Sequence, residues 1–189
     1  MLLQWLKGRL ATIYGNLRRR LPADYVHRTD GMAAVEFALV AAPFFALIVA
    51  ILELALIFVA QAALETAVEE TARLVLTGQA LSQGLTQSQF QQDVCNNLPS
   101  PFVCSGVMVN LVTAASFSNA VTAAPTLTYN AQGHVTNTWN FQVGGPGSIE
   151  VMQVMYQWPV FPGPLNLNFA NLSNGSYLLM ATSVFRNEP

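Results

Sequence analysis

The chain has 189 residues, of which 52% are hydrophobic and only 10% charged, enough for one modest domain plus an anchor. This composition is too apolar for a disordered chain and too polar for a multi-span membrane protein. Charge is uneven: Lys7, Arg9, Arg18, Arg19, Arg20 and Arg28 against Asp24 and Asp30 give residues 1–31 a net +4, while Arg73 and Arg186 against eight acids give residues 32–189 a net −6. Nothing beyond the N-terminal segment forms a basic patch, which argues against nucleic acid as a partner.

Residues 1–31 read as a basic cytoplasmic leader. Leu2, Leu3, Leu6, Leu10 and Ile13 are spaced for one helical face, with Lys7 and Arg9 among them. Such a segment can lie on an anionic membrane surface. The triplet Arg18–Arg20 reads as a topology signal, with a lipid contact as the alternative.

Residues 32–78 read as one long helix with a transmembrane span at about 37–60. From Phe37 to Ala60 the only charge is Glu53. At 1.5 Å per residue these 24 residues cover roughly 36 Å, more than a bilayer core of ~30 Å. Six of the eight Lys and Arg residues precede the span. The positive-inside rule therefore places the N-terminus in the cytoplasm and residues 61–189 outside. An ordinary signal peptide has a shorter apolar region ending in a small-residue cleavage site. Pro43 lies inside the span, where a membrane helix tolerates a kink. Beyond the span, Leu64, Val68 and Val75, with Ala67 and Ala72, form an apolar stripe that needs a covering surface. Thr77-Gly78 is a plausible helix end.

Residues 79–189 read as an extracytoplasmic α+β domain. Residues 79–89 are Gln- and Ser-rich and predict a linker. Thr86 and Gln89 form a capping-box pattern ahead of Phe90 and Val94, which predicts a short amphipathic helix over 87–97. From Gly106 the pattern changes to strand. Strands are expected at 107–112, Ile149–Val160 and Ser176–Arg186, with a short fourth at Trp139–Val143. Gly144-Gly145-Pro146-Gly147, Pro162-Gly163-Pro164 and Asn174-Gly175 mark turns between them. Trp139, Trp158, Phe161 and Phe185 are expected in the core.

Cys95 and Cys104 enclose eight residues. Outside the cytoplasm this spacing predicts a disulfide rather than a metal site. It would staple the short helix to the first strand and contribute roughly 2.5–3 kcal/mol in the chain-entropy account. No metal or other cofactor is expected. Of the two histidines, His27 lies in the leader and His134 in a Gly/Asn-rich turn. No Ser/His/Asp set, HExxH or Walker loop appears, so the chain is not expected to be an enzyme.

Gly31-Met-Ala-Ala-Val-Glu36-Phe37 places a Gly just before an apolar helix and a Glu five residues later. This resembles the prepilin peptidase signature. The likeness continues through Ala38-Leu39-Val40, Pro43, Glu53 and Glu69-Glu70-Thr71-Ala72-Arg73. Over about residues 30–80 the chain resembles the TadE-like family, the pseudopilins of tight-adherence (Tad/Flp, type IVc) pilus systems. Its closing Tyr177-Leu-Leu-Met-Ala-Thr-Ser-Val-Phe-Arg186-Asn-Glu-Pro is also similar to members of this group. One departure is Phe37, where the family's motif often has Tyr; the aromatic bulk is kept.

The resemblance implies a pilin-like arrangement: one long N-terminal helix packed on a small antiparallel sheet. It implies processing after Gly31, giving a mature chain that begins at Met32 with a free amine. Glu36 then lies one helical turn from that amine, an obvious partner for a carboxylate near the bilayer edge; the plainer reading is that Glu36 marks the interface where the span begins. In this family the pairing implies subunit register. Glu53 is 17 residues from Glu36 and about 100° around the helix, so it faces elsewhere. The resemblance implies a contact there to another pilin-like helix or to the export platform; the plainer reading puts it near the outer interface.

The leading expectation is a non-catalytic pilin-like component for pilus assembly in the bacterial inner membrane. Its partners would be a prepilin peptidase, other pilin-like subunits and the assembly platform. The alternative is an uncleaved, single-pass anchored periplasmic binding module.

Overall fold

The computed structural model describes residues 30–163 and 167–189, so the leader expected over residues 1–29 lies outside the described residues. The chain divides into two units, Met1–Leu47 and Ile48–Pro189. Helix α1, Asp30–Leu76, runs through both. In the first unit residues 31–40 are all exposed. Among the described residues α1 is long and apolar enough to cross a membrane.

The second unit is α+β. After α1, Gly78 takes the left-handed conformation (φ 72°), which glycine adopts without steric penalty, and turns the chain into a single helical turn, α2, Gln79–Ser82. The expected linker is therefore helical at its start. Ala80 supplies the reason, because it is buried in the core. Helix α3, Gln87–Asn96, begins at Thr86 with both bonds of the capping box in place. Three strands follow: β1 at Val107–Ala114, β2 at Ile149–Pro159 and β3 at Ser176–Arg186.

The sheet order is β1-β2-β3, antiparallel throughout. Val107 pairs with Tyr156 and Ala114 with Ile149; Ile149 pairs with Arg186 and Pro159 with Ser176. With a period of two, this register puts Val107, Val109 and Leu111 on the same face as Tyr156, Val154 and Met152, and as Leu179 and Ala181. These residues form one buried cluster with Ile57, Ala60, Leu64, Val68, Ala72 and Val75 of α1 and Phe90 and Val94 of α3. The α1 spacings of three and four residues are those of one helical face. The stripe read from the sequence is therefore covered by the sheet, and it begins two turns earlier than Leu64, at Ile57.

The opposite face of β2 is also buried, at Val151, Gln153 and Met155. The long connection 115–148 accounts for part of this cover: Gln153 donates from Nε2 to the carbonyls of Val121 and Ala123, at 3.3 and 3.1 Å. Within that connection Trp139–Val143 is not a fourth strand. It makes one isolated parallel bridge, Leu111 to Phe141. Leu111 donates to the Asn140 carbonyl at 2.8 Å and accepts from Gln142 N–H at 2.9 Å. The Asn140 N–H turns instead to the Asn110 side chain, so the ladder does not extend.

Candidate membrane and assembly site

Gly31, Met32, Glu36 and Phe37 occupy the first two turns of α1 and are all exposed. Met32 and Phe37 are 63% and 71% exposed. Met32 and Glu36 are four residues apart, about 6 Å along the axis on one face. A Cβ built on Gly31 would meet nothing within 4 Å, and its φ is not in the positive range. Among the described residues nothing demands glycine at this position.

Glu53 belongs to the second unit and is half-buried. Its Oε1 accepts a hydrogen bond from the backbone N–H of Phe161 at 2.8 Å. The carboxylate thus has a partner within its own chain, in the loop that leaves β2. Ile57 and Ala60, on the next turns, are already in the domain core, whereas Leu56, Phe58 and Val59 are exposed. Over these turns α1 presents one face to the sheet and the other outward. Phe161 is not in the core: it is 76% exposed, while Trp158 and Phe185 pack against the core as expected.

Cys95 and Cys104 form a disulfide with Cα atoms 5.5 Å apart. It joins α3 to the 3-10 turn Cys104–Gly106 that leads into β1. Two glutamines of α3 reinforce the staple. Gln91 Nε2 donates to the carbonyls of Cys104 and Val107, and Gln87 Nε2 donates to that of Val109. They satisfy acceptors on the outer edge of β1, which an open sheet edge would leave exposed.

The sequence reading did not single out Glu150. It is fully buried, and its carboxylate accepts from Gly144 N–H at 3.0 Å and Ser148 Oγ at 2.8 Å. The C-terminal tail closes the same loop. Arg186 Nε donates to Gly147 O, Asn187 Nδ2 donates to Gly144 O, and Glu188 N–H donates to Leu76 O at the end of α1. A signal was present: Glu150 is the only charge between Asp93 and Arg186 and shares the core-facing parity of Met152 and Val154.

A shallow depression of about 320 Å³ lies elsewhere on the domain, lined in part by Met108, His134, Trp139, Tyr156 and Gln157. Among the described residues no group of three His, Cys, Asp or Glu side chains is placed to hold a metal ion.

Compared with known proteins, the chain matches no curated protein and no solved structure. Residues 31–73, which carry the Gly31–Phe37 motif, Glu53 and most of α1, match the family model described as TadE-like protein, so over this segment the chain is similar to the TadE-like family.

Proposed function

We propose that the chain is a non-catalytic pilin-like component of a Tad/Flp-type pilus, inserted in the inner membrane with its N-terminus in the cytoplasm. A prepilin peptidase removes the leader after Gly31. The observation that carries this reading is the glycine itself. In a helix Gly costs about 1 kcal/mol relative to Ala, and at Gly31 there is room for a side chain. A residue the fold does not require is explained by an outside agent that reads it. The match over residues 31–73 begins at the same glycine.

In the mature chain the Met32 ammonium and the Glu36 carboxylate would sit on one helical face near the membrane edge. A carboxylate there is stabilised by an ammonium from its own or a neighbouring subunit. Residues 32–52, about 31 Å at 1.5 Å per residue, would cross the bilayer core and end before Glu53, whose carboxylate is bonded to the external domain at Phe161. The domain outside would then present its surfaces to other subunits and the assembly platform.

The test is the N-terminal residue of the membrane-extracted protein made with its cognate peptidase. A start at Met32 is expected, with loss of 31 of 189 residues, about 3.7 kDa of 20.5 kDa. Gly31→Leu should retain the full mass. A wild-type start at Met1 would overturn the proposal and leave a fixed anchor, with the depression near Trp139 as the place to look for a ligand.

A further inference from the structure

We propose that the loop Val160–Gly163 is a second membrane contact, with Phe161 entering the lipid interface on the outer side of the bilayer beside α1. The inference rests on the reading of α1 as a membrane span. Four observations within the second unit carry it.

The first is position. The Phe161 N–H bond to Glu53 fixes this loop at the level of residue 53 on the helix. The second is the helix surface beyond that level. Leu54, Leu56, Phe58 and Val59 remain exposed, up to 70% at Phe58, and the first polar residues follow at Gln61 and Glu65. Apolar helix surface therefore continues six residues past Glu53, about 9 Å at 1.5 Å per residue. If lipid covers that surface, the loop lies below the lipid boundary, within the 5–10 Å to which interfacial groups bury.

The third observation is Phe161 itself. At 76% it is more exposed than Phe58 on the helix, and no charged residue occurs between Glu150 and Arg186. An aromatic ring with so little protein cover gains free energy in the interface. The fourth is the backbone. A polar N–H taken into lipid without a partner costs several kcal/mol. Pro159 and Pro162 have no N–H, Phe161 N–H is held by Glu53, and Gly163 N–H donates to Leu167 O at 2.8 Å. Among the described residues the Val160 N–H is the one donor of residues 159–163 left without a recorded partner, which lowers the donor share of the cost of desolvating the loop.

This arrangement tethers the domain to the membrane at two points, the helix and the loop. It would limit rocking of the sheet about α1 while the subunit waits in the bilayer.

The test places a nitroxide at Phe161→Cys in the full chain, with the native disulfide intact, in phosphatidylethanolamine/phosphatidylglycerol vesicles. Collision with oxygen, which partitions into lipid, is compared with collision with a water-soluble nickel chelate. Ile51→Cys reports the span and Val121→Cys, 69% exposed on the 115–148 connection, reports solvent. The oxygen-to-nickel ratio at Phe161 should exceed that at Val121 several-fold and approach that at Ile51. A solvent-like ratio at Phe161 with a lipid-like ratio at Ile51 would overturn the loop contact and leave the span standing. Solvent-like ratios at both positions would overturn the span as well. Protection of Phe161 from both reagents would mean protein cover, and would also reject the proposal.

Discussion

Glu150 is a buried carboxylate held by neutral donors, and whether it stabilises the domain is decidable. Gly144 N–H and Ser148 Oγ are its close donors, with Thr113 Oγ1 at 3.4 Å. Ser148 has a second acceptor in Gly145 O at 2.6 Å, so its hydroxyl survives the loss of the acid. Gly144 N–H has no such alternative among its recorded bonds. Glu150→Ala should therefore cost about 1–3 kcal/mol for the unsatisfied N–H and more for the cavity, about 2–4 kcal/mol together. Glu150→Gln keeps an oxygen for both donors. It loses charge assistance, about 1 kcal/mol per bond, and regains part of that by removing a buried charge. We expect it within about 1 kcal/mol of wild type. The assay is urea unfolding of the full chain in detergent, followed by the near-ultraviolet signal of Trp139 and Trp158. At a slope of about 2 kcal/mol/M, Glu150→Ala should lower the midpoint by about 1–2 M. A midpoint for Glu150→Ala at or above wild type would refute the reasoning, since desolvation of the carboxylate would then outweigh its hydrogen bonds. Equal losses for Ala and Gln would refute it differently, by showing that the charge matters and the acceptor does not.

Three further outcomes are expected. Cys95→Ser with Cys104→Ser should lower domain stability by about 2.5 kcal/mol in the same assay, and alkylation of the unreduced wild-type chain should find no free thiol at either position. Leu64→Ala, at a fully buried position on α1, should cost 2–5 kcal/mol, whereas Leu56→Ala, exposed on the outer face, should change domain stability by less than about 0.5 kcal/mol; equal effects would mean that the sheet does not cover this stripe. Glu53→Gln, which retains an acceptor for Phe161 N–H, should assemble pili as wild type does, while Glu53→Leu should not; failure of the Gln variant would show that the charge is needed for a contact outside the chain.

The elements governed by local periodicity were legible in the sequence. The apolar run and the Leu64–Val75 stripe indicate α1, since a helix repeats every 3.6 residues whatever lies beyond it. The Thr86–Gln89 box sets the start of α3, and the three strand segments fall within a few residues of their observed bounds. Cys95 and Cys104 are close in sequence, so their pairing needed little tertiary information. The Gly31–Phe37 motif is a linear signal and was readable for the same reason.

What only the tertiary structure decided involves partners far apart along the chain. Gln87 and Gln91 look like solvated helix residues, yet they cap the edge of β1. Trp139–Val143 has a strand's composition, but its neighbour is a single residue, Leu111, because Asn110 captures the Asn140 amide. Phe161 reads as core by residue type, yet its backbone bond to Glu53, 108 residues away, holds it at the outer turns of the helix with its ring exposed. Sequence spacing dictates which residues share a face; which face meets which is set by packing, where each buried polar group must find its partner.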